Sequence, residues 1–374
     1  MSAHWLTAAA LLLLASASLA HGGEETAAAE KTSALSWNFD AVLDAIITPR
    51  RNAVEWNFEA SLPIELDLGE LAGLDHFFLY AHPTLVWGAE EDHQWDGRLY
   101  QAWLSYDGSE RWNVLAGIYD VGWHFHSLPS TRTFTRLPGQ NTGSFSPGSL
   151  GLLDLFRLSS PAIRIELKPT DRIALQVAAV RLQPEHGVGQ HALAEHLADA
   201  NRTLLIAQAG WSREGADENR QHHARIGLGG WLLPGARLAD SPRTPFGLYV
   251  YADARLHSEV RDADQGCSAF LSLSAAAQRP GTWEKRVATG LAWTGLLPAR
   301  DTDETALAVI TEDAGEPSYD ARGRRRWRTS AELLHRIPLG DHAYVQGALQ
   351  WRRPFEVAER PDAWRIGLSL GLSF

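Results

Sequence analysis

AWRIGLSLGLSF, residues 363–374, alternates two kinds of side chain without a break. Trp364, Ile366, Leu368, Leu370, Leu372 and Phe374 fall on one face, and Arg365, Gly367, Ser369, Gly371 and Ser373 on the other. A period of two predicts a β-strand with one apolar face and one face of polar and small residues. In a water-soluble sheet the polar face looks out to solvent. In a membrane barrel the apolar face meets lipid and the polar face meets a wet lumen. Six consecutive apolar positions suit a tilted membrane-crossing strand of about 9–11 residues. One strand is compatible with both readings, so the rest of the chain has to repeat the pattern.

The N-terminus and the composition set the compartment. Residues 5–20, WLTAAALLLLASASLA, form a short apolar run ending in small residues. We read residues 1–20 as a secretory signal peptide cleaved after Ala20, although no Lys or Arg precedes the run. No Cys follows it, which disfavours a lipoprotein anchor. Residues 21–36, rich in Ala, Glu and Thr, are expected to be a flexible mature N-terminus, and 37–374 the folded body. No later stretch approaches the ~18 apolar residues of a membrane-spanning helix. The single cysteine, Cys267, excludes an intramolecular disulfide. The net charge of −11 argues against nucleic-acid binding. Fifteen Trp, eight Tyr and twelve Phe without long apolar runs fit a barrel with interfacial aromatic girdles, and also fit a Trp-rich carbohydrate-binding sandwich.

Working back from the last strand, sixteen candidate strands emerge: 37–48, 54–67, 75–88, 98–107, 112–125, 162–169, 173–183, 204–213, 224–233, 246–258, 267–278, 284–296, 305–313, 326–339, 343–354 and 363–374. An even number is what a single-chain bacterial barrel requires. In several of them aliphatic residues oppose charged or polar ones: Ile163, Ile165 and Leu167 against Arg164, Glu166 and Lys168, or Val345, Leu349 and Trp351 against Gln346, Gln350 and Arg352. The expected fold is all-β, a transmembrane antiparallel up-and-down barrel. Short turns at DGSE, KPTD and LGDH contrast with long connections at 126–161, 184–203 and 314–325, mostly as the two ends of such a barrel demand, although the connection around Pro49–Asn52 is short on the long side. The connection from His126 to Pro161 is too long to be idle in a compact protein and is expected to fold inward and narrow the channel; the alternative is an outer cap over the mouth.

Several stretches resemble the carbohydrate-selective outer-membrane porins. They are LAGIYDVGWHF (Leu115–Phe125), PAIRIELKPTDRIALQVAAV (Pro161–Val180), the region Gly266–Val309 with its TGLLP turn, Arg300, Asp301 and Asp303, and the terminal hairpin Glu332–Phe374. The N-terminal part, with Pro49, Arg50 and Arg51, and the last loop, RRPFEVAERPD, depart from that family's pattern. The resemblance implies a sixteen-stranded barrel in the bacterial outer membrane that passes sugars by passive diffusion. It further implies a terminal aromatic, Phe374, that engages the barrel-assembly machinery.

A channel for neutral, hydroxyl-rich solutes needs bidentate donors, carboxylate acceptors and aromatic faces. Strand parity points Arg164, Glu166, Arg286, Glu332 and Arg365 into the lumen. Asp120 and Trp123 stand at the start of the long connection, which also carries Arg132 and Arg136. The plain alternative is that these charges only pair with one another in a wet interior. Arg322, Arg324, Arg325, Arg326 and Arg328 form a basic outer loop that is either simply solvated or able to grip lipopolysaccharide phosphates. His124 and His126 could face a metal together, but no third ligand follows them. His222–His223 lie in a polar turn, and Asp262, Asp264 and Gly266 lack the rest of a calcium loop. No catalytic motif appears, and neither cofactor nor metal is expected. The remaining readings are a general or organic-acid porin, a barrel enzyme such as a lipase, and a secreted lectin.

Overall fold

The computed structural model describes residues 34–49, 53–88, 95–126, 128, 130–131, 160–181, 203–213, 224–235, 244–259, 265–277, 285–313, 327–353 and 363–374. The expected signal peptide lies outside them. Among the described residues eighteen strand segments form one sheet: β1 (Leu35–Trp37), β2 (Asp40–Thr48), β3 (Ala53–Ser61), β4 (Ile64–Asp67), β5 (Phe77–Trp87), β6 (Trp95–Ser109), β7 (Trp112–Tyr119), β8 (Ser160–Thr170) and β9 (Ile173–Arg181). The second half comprises β10 (Thr203–Arg213), β11 (Ala224–Leu232), β12 (Phe246–Ser258), β13 (Gly266–Ala277), β14 (Lys285–Thr294), β15 (Glu304–Asp313), β16 (Trp327–Pro338), β17 (Ala343–Arg353) and β18 (Ala363–Ser373).

The eighteen segments make sixteen staves. β2 pairs with β3 and β1 with β4, while β3 and β4 both pair with β5, so each of the first two staves is a broken strand. The second break falls at Leu62–Pro63, where proline has no N–H to give the ladder. The Pro63 carbonyl still accepts from Asn38 N at 3.1 Å across the break. From β5 onward each strand pairs antiparallel with the next, and β18 pairs with β2 from Ile366↔Ile47 to Ser373↔Asp40. Phe374 extends that seam: its N–H donates to Phe39 O at 2.9 Å, and Phe39 N–H donates to Phe374 O at 2.9 Å. The sheet is therefore closed into a ring.

The two faces of the terminal strand separate as a membrane requires. Leu368 is 49% exposed and Leu370 43%, whereas Ser369 between them is 3% exposed. Ile163, Ile165 and Leu167 are likewise exposed, with Arg164 buried among them. Apolar side chains look outward, so the outer surface is matched to hydrocarbon. Aromatic residues gather at both ends of that surface. Phe58 meets Trp95 edge-on at 5.5 Å near one end, and Tyr106 lies 4.7 Å from Phe77 and 5.2 Å from Trp112 near the other. The end holding Phe374 also holds the short turns β6–β7, β8–β9 and β16–β17, which marks it as the periplasmic end.

One local expectation needs correction, and two further local features position the site. The candidate strand 112–125 stops at Tyr119, because the chain turns there into a single helical turn, Val121–His124. A second helical turn, Leu68–Ala72, is capped by Asp67, whose carboxylate accepts from Gly69 N, and is stopped by Gly73 in the left-handed conformation. The inward face of β10 is apolar at its start, where Leu204 and Ile206 point inward and are buried. They belong to a buried cluster with Leu115, Tyr119, Val121, Phe125, Leu128, Val180, Trp231 and Tyr249, so the start of the long connection and the wall share one apolar core inside the barrel.

Candidate functional site

Two sectors of the lumen wall carry most of the residues singled out from sequence. On the first, the chain leaving β7 packs against β8–β13. Backbone N–H of His126 donates to Gln208 Oε1 at 2.9 Å, and its ring Nε2 lies 2.9 Å from Ser272 Oγ. The ring stands edge-on to Tyr249 and Tyr251, at 5.4 and 4.9 Å. Four residues on, Ser130 donates to Asp253 from both backbone N and Oγ, at 3.0 Å each. These partners lie on β10, β12 and β13, so His126 and Ser130 lie against the inner wall.

Arg164 fastens the chain just before His126. Its Nη1 donates to His124 Nδ1 at 2.7 Å and its Nη2 to Asn113 Oδ1 at 2.8 Å. Glu166 sits 4.0 Å away. Because Nδ1 accepts from a cation, His124 is the neutral tautomer protonated at Nε2. Burial, then the Arg164 charge, pushes the His124 pKa down to about 3. Burial, then Arg286, does the same to His126, also to about 3. The two histidines thus face different partners and do not converge on a metal. Among the described residues no group of three His, Cys, Asp or Glu is placed to hold one.

The second sector runs from β14 through β18. Arg286 and Glu312 are cross-strand neighbours on β14 and β15, 3.4 Å apart and both buried. Glu332 on β16 accepts from Gln350 Nε2 on β17 at 3.0 Å, and the register carries the row on to Arg365 on β18. Nearer the short-turn end, Arg336 donates to Gln346 at 3.0 Å, meets Glu304 at 3.3 Å and lies over the Tyr344 ring at 4.6 Å. Donors and acceptors therefore alternate around this wall, with both signs of charge present. Such a surface can replace the hydration of a neutral polyol without trapping an ion of either sign.

The residues singled out from sequence sort accordingly. Arg164 and Glu166 lie on the lumen face and are engaged in holding the connection; Glu166 also accepts from Gln176 and pairs with Lys168 at 3.4 Å. Arg286, Glu332 and Arg365 line the second sector. Asp120 accepts from the Tyr100 hydroxyl. Trp123 belongs to the helical turn, its side chain outside the described residues, as are Arg132, Arg136, Arg322, Arg324, Arg325, Arg326, His222, His223, Asp262 and Asp264. Sequence reasoning missed the docking groups Gln208, Tyr249, Tyr251, Asp253 and Ser272. Only Tyr249 and Tyr251, large aromatics on the polar face of an alternating strand, gave a visible signal.

The family model for carbohydrate-selective porins of the OprB family matches residues 80–374. No curated protein matches the chain significantly. Among solved structures, the high-pH structure of Pseudomonas putida OprB is similar with a TM-score of 0.73 at 17% identity, covering 91% of this chain and 94% of that one. The low-pH structure of the same protein gives 0.61 at 16% identity, with 91% and 93% covered. Outer-membrane expressed OmpT of Vibrio cholerae gives 0.52 at 8% identity, with 92% and 99% covered. At these identities the structures speak for the sixteen-stranded fold.

Proposed function

This chain belongs to the OprB family of carbohydrate-selective porins, and on that footing we propose how its lumen handles a solute. It is an outer-membrane channel through which sugars diffuse passively. The observation that carries the mechanism is the mixed donor and acceptor wall of β14–β18. A sugar entering from outside exchanges water for the partly exposed groups of that wall, Arg365, Arg336 and Glu304, each contact weak enough to be given up as the solute moves on, while Arg286, Glu332 and Gln350 are buried within the wall. Arg164 and Glu166 act indirectly, by holding the connection from Asp120 onward against the wall. The remainder of that connection, with Arg132 and Arg136, narrows the passage.

The rest of the reading follows from the same membership and the residue pattern. The chain works without catalysis, cofactor or metal. Residues 1–20 direct export, Phe374 presents the closing strand to the assembly machinery, outer-membrane lipid covers the apolar face, and the basic stretch Arg322–Arg328 contacts lipopolysaccharide phosphate.

Liposome swelling with mono- and disaccharides against organic acids of similar size tests the reading. Sugars should enter faster than the acids, and Arg365→Ala should reduce the difference. Faster entry of carboxylates would instead identify an organic-acid porin, the reading that a lumen with several arginines also permits.

A further inference from the structure

The lumen face of β4–β7 carries a row unlike either sector described above. Register places Glu65 opposite Tyr80, Tyr80 opposite Trp103, and Trp103 opposite Gly117. The Tyr80 and Trp103 rings are stacked, with centroids 4.7 Å apart and planes 17° apart. His82, the next inward residue along β5, stands edge-on to Tyr80 at 6.0 Å and to Tyr100 at 5.4 Å. Trp103 in turn packs against the buried apolar cluster. Gly117 permits the close approach on that side. It has φ +147°, and a Cβ there would lie 2.6 Å from Trp103 Cα and 2.9 Å from its Cβ.

These contacts hold Tyr80 as a fixed plate. One of its faces is covered by Trp103, and its hydroxyl lies 3.3 Å from His82 Nδ1. Its neighbour on the other side is Glu65, an exposed carboxylate on β4. A rigid aromatic face beside an unshielded acceptor is the arrangement that a pyranose ring fits. The axial C–H groups of the sugar lie on the ring face, and a hydroxyl at the ring's edge donates to the carboxylate. A linear polyol has the same hydroxyls but no flat C–H face to present.

We propose that Tyr80, backed by Trp103 and flanked by Glu65, forms a stacking subsite for cyclic sugars in the periplasmic half of the channel. The subsite rests on the sugar-channel reading and adds to it a discrimination between ring and chain forms of polyols. Tyr80 touches the sugar face, Glu65 accepts its hydroxyl, and Trp103 positions Tyr80.

The test is block of single-channel current by added solute, with the full-length protein in planar bilayers and glucose and sorbitol as the two probes. Tyr80→Leu should weaken glucose block about three- to tenfold, the ratio corresponding to a stacking contact of aromatic-pair size. It should leave sorbitol block and ion conductance unchanged, and Tyr80→Phe should keep wild-type glucose block. Glu65→Gln should weaken block by both probes. Equal glucose block in wild type and Tyr80→Leu overturns the proposal, as does an equal loss for sorbitol, which would report general distortion of the pore. Should Tyr80→Leu not assemble, Glu65→Gln on its exposed side chain decides, and unchanged block by it overturns the subsite. A wild-type channel that ignores both probes while passing organic acids would overturn the sugar-channel reading itself, a distinguishable result.

Discussion

Acidification should release the start of the long connection from the barrel wall, and half-buried His124 and buried His126 set the size of the effect. His124 and His126 are pushed from 6.5 down to about 3, first by burial and then by Arg164 and Arg286 respectively. Between those values the released segment takes up protons that the docked segment refuses. Docking is therefore fully stable above pH 6.5 and is lost progressively as pH falls below it. At about pH 5 each histidine costs about 2 kcal/mol, at 1.36 kcal/mol per pH unit, and the pair costs about 4 kcal/mol. The contacts opposing release include the two hydrogen bonds from Ser130 to the Asp253 carboxylate, each worth about 1.5–3 kcal/mol. The proton penalty is thus comparable with the latch. Single-channel recording and limited proteolysis of protein in liposomes, at about pH 7.5 and about pH 5, read the outcome. At the lower pH conductance should rise, current noise should increase and cleavage beyond Asp120 should accelerate. The double variant His124→Asn, His126→Gln should lose the response. Identical conductance and cleavage at both pH values in the wild type, or an undiminished response in the double variant, would refute the reasoning.

Three further outcomes are expected. Leu368→Arg should reduce folding yield in lipid vesicles far more than Ser369→Arg, since a cation on the lipid face near mid-strand costs about 2–4 kcal/mol and one on the lumen face meets water; equal yields would reverse the assignment of faces. Arg164→Ala leaves Asn113 Oδ1 and His124 Nδ1 without their donor, so it should raise conductance noise at neutral pH while thermal unfolding of the barrel changes little; a quiet channel in this variant would show that Arg164 does not hold the connection. Deleting Phe374 removes the two backbone hydrogen bonds to Phe39 and the ring stacked on His342 at 5.3 Å; assembled yield should fall, and molecules that do assemble should conduct as wild type, as gel mobility without heating and single-channel recording would show.

Much of the barrel can be read from residue order because it rests on a strictly local property. Alternation on residues 363–374 settles which side chains share a face, and its repetition along the chain gives sixteen staves and the inward placement of Arg286, Glu332 and Arg365. Even the broken second stave was contained in one candidate, 54–67, although only pairing reveals that Pro63 divides it. The end of β7 at Tyr119 was misjudged, because VGWHF alternates well enough to pass for strand, and its helical turn is imposed by what it packs on.

What only the tertiary structure decided is which lumen residues are occupied. Arg164 and Arg286 look alike in sequence, each an arginine among aliphatic residues on an alternating strand. One holds His124 and Asn113; the other pairs with Glu312 beside His126. His126 meets Gln208 and Ser272, 82 and 146 residues away, and Tyr80 meets Trp103 through a register that no single strand contains. The period of a strand depends on neighbours two residues apart, so the sequence by itself determined the faces. The partners across the lumen depend on closure of the whole ring and on one connection lying back inside it, and those distances exist only once the barrel has closed.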